Sequence, residues 1–310
     1  MTVNRLSRIS YPLFLFLILA GTAFSQETKT ITLEDAFQSR KFSPAGLYGL
    51  RSMNDGLHYT VREGGRIEKF SYKTGEQVET LFDASEIEGI SSFSNYHFND
   101  AETRILLESG VESIYRHSYL ASYHVYDMET ETLTAVSEKG KQQLGTFSPD
   151  GSKVAFVRDN NLYLRDLSQD EEKQVTFDGV RNEIINGAPD WVYEEEFGFS
   201  QGFQWSPNGK LIAFYRFDER RVKEFHMTMF GSLYPEKYEF KYPKAGEENS
   251  LVGIHVYDLE SGKTIPMDVG EETDQYIPRI KWTTDPEDCW TRFVMPSRRT
   301  HILLSAFKLY

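Results

Sequence analysis

The sequence predicts an all-β fold: part of a β-propeller, with about four blades and the start of a fifth. Turns of one kind recur along the chain, at Met53-Asn54-Asp55-Gly56, Phe98-Asn99-Asp100-Ala101, Phe147-Ser148-Pro149-Asp150-Gly151, Trp205-Ser206-Pro207-Asn208-Gly209 and Trp282-Thr283-Thr284-Asp285. Each is set to be followed by a strand-like run, as in Lys153-Val154-Ala155-Phe156-Val157 and Leu211-Ile212-Ala213-Phe214-Tyr215. Later in the unit a second run ends in Asp, at Val125-Tyr126-Asp127, Leu164-Arg165-Asp166 and Val256-Tyr257-Asp258. A repeat of roughly 45–50 residues holding several short strands is the pattern of a propeller blade. A β-sandwich does not predict the same turn five times at this period.

In chain order, the first residues read as an export signal. Arg5 and Arg8 precede a short apolar core, Pro12 to Ala20, and Ala23-Phe24-Ser25 supplies small residues for cleavage before Gln26. The apolar run falls short of the roughly 20 residues a membrane-spanning helix needs. No cysteine follows Leu19-Ala20-Gly21, so no lipoprotein anchor is expected there. The expectation is a signal peptide over 1–25, a periplasmic mature protein, and an N-terminal segment over 26–45. In that segment Thr32 and Asp35 have the spacing of a capping box for one or two helical turns.

The propeller part is read from 46 to 288. Lys73-Thr74-Gly75-Glu76 and Glu260-Ser261-Gly262-Lys263 read as hairpin turns. The fourth blade is lengthened between Asp218 and Ser250 by a polar, Tyr- and Lys-rich insertion that should project from it. Within it, Lys241-Tyr242-Pro243-Lys244-Ala245-Gly246 reads as extended and turning. After Trp282 the sequence pattern offers no further hairpins. From Cys289 to Tyr310 there is no Asp or Glu, whereas Arg292, Arg298, Arg299 and Lys308 are present. Residues 289–310 are therefore read as an aberrant basic tail, the frameshifted or truncated end of a longer gene product. The alternative is a genuine basic tail.

Composition narrows the function. The 310 residues are 39% hydrophobic and 14% aromatic, which suits a folded body, and the net charge is −13. Such an acidic balance argues against nucleic-acid binding. Cys289 is the sole cysteine, so no intrachain disulfide and no cysteine-rich metal site are expected. No cofactor is implied.

The chemistry concentrates in Asn186-Gly187-Ala188-Pro189-Asp190-Trp191-Val192-Tyr193-Glu194-Glu195-Glu196-Phe197. Asp190 can N-cap a short helix after the Gly/Pro turn. The three glutamates are then expected in its first turns, where the helix dipole favours negative charge. Neighbouring carboxylates repel, so a cation bound between them relieves that repulsion. A primary ammonium, with three donors and no acceptor, suits such a clamp. A solvated acidic turn is the plainer reading. A metal site at Asp190 and Glu194–Glu196 lacks His partners and the alternating ligand spacing of calcium loops.

Three motifs, Asp190-Trp191-Val192-Tyr193-Glu194-Glu195-Glu196, Arg116-His117-Ser118-Tyr119 and Tyr242-Pro243-Lys244-Ala245-Gly246, together resemble the N-terminal β-propeller of the dipeptidyl peptidase IV family. These are serine exopeptidases of the prolyl oligopeptidase group, and the signal peptide resembles the bacterial periplasmic branch. The resemblance runs from about residue 46 to 288. It implies an eight-bladed propeller of which this is a part, followed in the family by an α/β-hydrolase domain with a Ser-Asp-His triad. It implies that Glu195 and Glu196 bind the free α-amino group of a peptide N-terminus, that Arg116 contacts the peptide carbonyl, and that Glu194 is structural. It also implies cleavage of dipeptides with Pro or Ala second, and homodimers with the Asp218–Ser250 insertion as a candidate contact. No hydrolase domain is read in these 310 residues. The expectation is the recognition half without catalytic residues, inactive alone. The other function class is an exported binding or scaffold module, which has no need of a convergent ammonium site.

Gly198-Phe199-Ser200-Gln201-Gly202 matches the G-x-S-x-G nucleophile elbow. That elbow needs a strand before the serine and a helix after it. Here an acidic segment precedes Ser200 and the strand-like Phe203-Gln204-Trp205 follows. His226, His255 and His301 lie downstream without a hydrolase-like pattern, so Ser200 is read as a decoy.

Overall fold

A computed structural model describes residues 30–43, 49–283, 288–294 and 303–308. The expected leader, its cleavage site before Gln26 and His301 lie outside the described residues. The chain divides into two units, Met1–Tyr48 and Gly49–Tyr310. In the first, α1 (Leu33–Phe37) carries the expected capping box. The Asp35 amide donates to Thr32 Oγ1 at 3.0 Å, and the Thr32 amide donates back to Asp35 Oδ2 at 3.3 Å. Among the described residues, no helix is long and apolar enough to cross a membrane.

The second unit is a series of antiparallel sheets in sequence order. Sheet one holds β1 (Arg51–Ser52), β2 (His58–Glu63), β3 (Arg66–Ser71) and β4 (Gln77–Asp83). Sheet two holds β5 (Asn95–Phe98), β6 (Arg104–Ser113), β7 (Tyr119–Asp127) and β8 (Thr132–Ala135). Sheet three holds β9 (Gln143–Phe147), β10 (Lys153–Arg158), β11 (Asn161–Asp166) and β12 (Glu171–Gln174). In sheet four, β13 (Ile184–Asn186) is followed by helix α2 (Trp191–Glu195) and then β14 (Phe203–Trp205). Both strands pair with β15 (Leu211–Asp218). The insertion then makes its own hairpin, β16 (Glu224–Met229) with β17 (Glu236–Lys241), before β18 (Leu251–Asp258) and β19 (Thr264–Pro266) finish the sheet. Sheet five pairs β20 (Tyr276–Trp282) with β21 (Asp288–Val294), and β21 with β22 (Leu303–Lys308). This is the expected blade order. Beyond Trp282 the chain contributes two further antiparallel strands, β21 and β22, which the sequence pattern does not offer.

The recurring turn joins the first two strands of a blade, and its chemistry explains the recurrence. Ser148 Oγ accepts from the Lys153 amide at 2.9 Å and donates to Asp150 Oδ1, and the Gly151 amide closes on the Ser148 carbonyl. One blade on, Ser206 Oγ accepts from the Leu211 amide at 2.9 Å and donates to Asn208 Oδ1, and Gly209 closes on Ser206. Both glycines have φ of +69°, in the left-handed region. The Asp that ends the third strand caps the outer turn. Asp127, Asp166 and Asp258 each accept two backbone amides through Oδ1.

Strand alternation stacks the blades. Successive side chains of a strand point to opposite faces, so each second strand supplies two different cores. Ile105 and Leu107 pack toward sheet one with Ile67 and Phe82, whereas Leu106 packs toward sheet three with Val154 and Phe156. Ala155 and Val157 meet Ile212 and Phe214 of sheet four, while Ala213, Tyr215 and Phe217 meet Ile277 and Ile280 of sheet five. A run such as Val154-Ala155-Phe156-Val157 is buried at every position because both its faces are covered.

Candidate functional site

Helix α2 interrupts blade four and is held on three sides. At its start, extended Asp190 accepts the Tyr193 amide on Oδ1 at 2.9 Å and the Ser250 hydroxyl on Oδ2 at 2.6 Å. Ser250 is the residue at which the chain returns from the insertion. Burial pushes the Asp190 carboxyl above its ordinary range, against the pull of these donors. Beneath the helix, buried Tyr193 accepts the Ile277 amide on its hydroxyl at 2.8 Å, and its ring meets those of Phe197, Phe199, Tyr215, Phe217 and Tyr276. At its flank, Trp191 meets Tyr242 edge-on at 4.4 Å.

The three glutamates part ways at this point. The helix is only five residues long, so Glu194 alone lies in its first turn, Glu195 is its last residue and Glu196 its C-cap. The expectation that all three occupy the dipole-favoured end is thus corrected: Glu195 and Glu196 sit at the negative end, where a cation is favoured. Glu194 is 1% exposed and takes the His117 amide at 2.7 Å and the Ser118 amide at 2.9 Å on one oxygen. Glu195 reaches Arg116 across the same seam, Oε2 to Nε at 3.3 Å. Arg116 belongs to the β6–β7 loop of blade two, and its side chain is 72% exposed. Glu196 is exposed, and its carboxylate makes no hydrogen bond or ion pair among the described residues. The structure therefore joins Arg116 to Glu195 directly and places Glu196 one residue on, in solvent.

Other residues that frame the site carry no local sequence signal. Arg279 of β20 donates to the Phe197 carbonyl at 2.6 Å and lies over the Phe199 ring. Asn249 donates to the Tyr276 hydroxyl at 2.6 Å. Glu219, buried just after β15, has its carboxyl pushed up to about 7 by burial and by the nearby Asp190 charge. From the hairpin, Phe240 approaches Tyr115 at 5.8 Å, and Lys241 donates to the Val222 carbonyl.

Ser200 is not placed as a nucleophile. It lies in the loop between α2 and β14, helix before and strand after, the reverse of the elbow. His226 pairs with Glu239 on the hairpin and His255 stacks on Phe214.

Fold and site together define a blade-built β-propeller whose fourth blade carries an acidic helix facing a basic loop of its second. The sequence profile of the dipeptidyl peptidase IV (DPP IV) N-terminal region matches residues 99–303, and the chain belongs to that family. The match runs past residue 288. The bovine prolyl endopeptidase FAP is 31% identical over 279 residues, covering 84% of this chain and 35% of the relative. A probable dipeptidyl-aminopeptidase B of Emericella nidulans is 40% identical over 198 residues, 58% of this chain and 22% of the relative. The chain thus spans about a third or less of the length of these relatives. The crystal structure of Porphyromonas gingivalis dipeptidyl peptidase 4 superposes with a TM-score of 0.80 at 41% identity, covering 86% of this chain and 39% of that one. This chain is thus part of a β-propeller of the DPP IV N-terminal type.

Proposed function

We propose that this propeller recognises the free N-terminus of a peptide for a serine-type dipeptidyl peptidase that removes X-Pro or X-Ala dipeptides. Glu195 and Glu196 take the α-ammonium group, and Arg116 turns its remaining donors to the peptide carbonyl. The observation that carries this is the Arg116–Glu195 pair at 3.3 Å. Its two halves come from different blades, and Glu195 and Glu196 stand on a helix whose other face is fixed in the core. A merely solvated acidic turn does not call for that anchoring. Two adjacent carboxylates with three ammonium donors between them make charge-assisted bonds, the stronger class. In this reading the chain is exported to the periplasm after cleavage before Gln26.

The proposed macromolecular partner is a second copy of the protein, docking on the β16–β17 hairpin. Phe230, Leu233 and Tyr234 at its tip are 80–91% exposed.

Calorimetric titration of the chain with a Gly-Pro-initiated peptide tests the recognition. The free-amine peptide should bind at least tenfold tighter than its N-acetylated form. Equal affinity for the two defeats the proposal.

A further inference from the structure

Glu194 is buried and, among the described residues, forms no ion pair. Its one partnered oxygen receives two consecutive backbone amides, His117 at 2.7 Å and Ser118 at 2.9 Å, from a loop 76 and 77 residues earlier in the chain. Those amides directly follow Arg116, and Glu195, directly following Glu194, meets the Arg116 side chain at 3.3 Å. Two adjacent residues of α2 thus hold three adjacent residues of the β6–β7 loop, one through backbone and one through side chain.

The loop has a short fastening of its own. The Ile114 and Tyr115 amides both donate to the Ser118 carbonyl, and Ser118 Oγ is buried without a partner. Arg116 therefore projects from the apex of a tight turn whose far limb is tied down by Glu194. A long, exposed arginine loses much side-chain freedom when it is held in one geometry. Fixing its backbone beforehand lowers that loss on binding, which is how preorganisation raises affinity. Buried amides facing a carboxylate form strong, directional bonds that an exposed ion pair alone does not match.

We infer that Glu194 is a positioning residue: it sets the Arg116 loop of blade two against the blade-four helix so that Arg116 and Glu195 present one preassembled cradle. This deepens the proposed recognition of peptide N-termini and rests on that reading for its ligand. Its structural half stands separately.

The test uses the whole chain in five forms: wild type, Glu194→Ala, Glu194→Gln, Arg116→Ala and the double variant Glu194→Ala/Arg116→Ala. Glutamine keeps an acceptor oxygen for the two amides, so Glu194→Gln should bind the free-amine Gly-Pro peptide within about threefold of wild type. Glu194→Ala should weaken binding about tenfold or more. If Glu194 acts through Arg116, the double variant should bind no worse than Arg116→Ala, whereas independent effects add. Additive losses, or a Glu194→Gln loss as large as that of Glu194→Ala, overturn the inference.

Hydrogen exchange supplies the arm that needs no ligand. Residues 114–119 should exchange faster in Glu194→Ala but not in Glu194→Gln, with β2 and β3 protected equally in all forms as the control for folding. Unchanged exchange over 114–119 in Glu194→Ala overturns the inference even if binding changes. If wild type does not distinguish free from acetylated peptide, the proposed recognition fails, and the exchange result still decides whether Glu194 sets the loop.

Discussion

Trp282 donates its indole N–H to the Gln204 carbonyl at 3.1 Å, and Trp205 makes the same bond one blade earlier, to the Thr146 carbonyl at 3.3 Å. In each case the acceptor is the residue just before the equivalent aromatic, Trp205 or Phe147, of the preceding blade. The tryptophans at the last two recurring turns, Trp205 and Trp282, thus tie their strands to the preceding blade.

Trp205→Phe should therefore keep most of the packing and lose the bond, at a cost of about 1 kcal/mol. Trp205→Ala should cost roughly 3 kcal/mol, since a partly buried ring is removed as well. Denaturant unfolding monitored by circular dichroism measures both. A Phe variant as damaging as Ala would show that the ring's shape, not its N–H, carries the contact.

The glycines of the turn should not be equivalent. Gly56, Gly151 and Gly209 all have φ near +65 to +69°. A Cβ at Gly56 meets open space, one at Gly209 meets Pro149 at 3.4 Å, and one at Gly151 would fall 2.6 Å from Asn99 Nδ2. The left-handed backbone costs any alanine about 1 kcal/mol. Gly56→Ala and Gly209→Ala should stop near that figure. Gly151→Ala should cost more, because Asn99 also holds the Thr103 and Arg104 amides. Thermal melts of the three variants give the ranking; equal losses would refute it.

These turns were legible in sequence because their bonds are local: Ser148, Asp150 and Gly151 satisfy one another within a few residues. The blade order followed from their repetition. The glutamate helix was legible only at its start, where Asp190 caps Tyr193 three residues on. Its end was not, since the helix stops at Glu195 and Gly198 takes φ of +64°. Partners 60 to 84 residues apart, as in Asp190–Ser250, Glu194–His117 and Tyr193–Ile277, leave no local pattern. The pairing of β21 with β22 is not legible in sequence because residues 289–310 carry no Asp or Glu of the kind that marks the earlier turns, although the two strands pair antiparallel.

Burial of Glu219 predicts a pH dependence of stability. Its carboxyl is pushed up from 4.5 to about 7, first by desolvation and then by the Asp190 charge, with Asp218 adding and Lys241 opposing. The folded state therefore binds a proton that the unfolded chain releases near pH 4.5. Stability from this group is full below that pH and is lost as pH rises through 7. Glu219→Gln should match wild type near pH 4.5 and exceed it at pH 8 by up to roughly 3 kcal/mol. Denaturant unfolding of both proteins from pH 4.5 to 8.5 checks the difference, in which titrating groups not coupled to Glu219 cancel. A constant offset across that range would show that Glu219 does not titrate there.

Glu195 and Glu196, the two glutamates proposed to hold the ammonium, should differ in their response to charge removal. Glu195 is engaged with Arg116, whereas Glu196 is exposed and forms no ion pair among the described residues. In the proposed recognition, Glu195→Gln removes one charge-assisted bond to the ammonium and also releases Arg116, the group proposed to meet the carbonyl. Glu196→Gln removes only the first. One such bond is worth roughly 1.5–3 kcal/mol, so Glu196→Gln should weaken a free-amine Gly-Pro peptide by about tenfold to a hundredfold. Glu195→Gln should weaken it further. Affinity of the acetylated peptide should fall in Glu195→Gln, through Arg116, and stay put in Glu196→Gln, because the proposal gives that glutamate the cation alone. Titration calorimetry of both peptides with both variants resolves the four cases. If the two variants lose equally with each peptide, Arg116 gains nothing from its partner, and the division of labour between Glu195 and Glu196 is wrong.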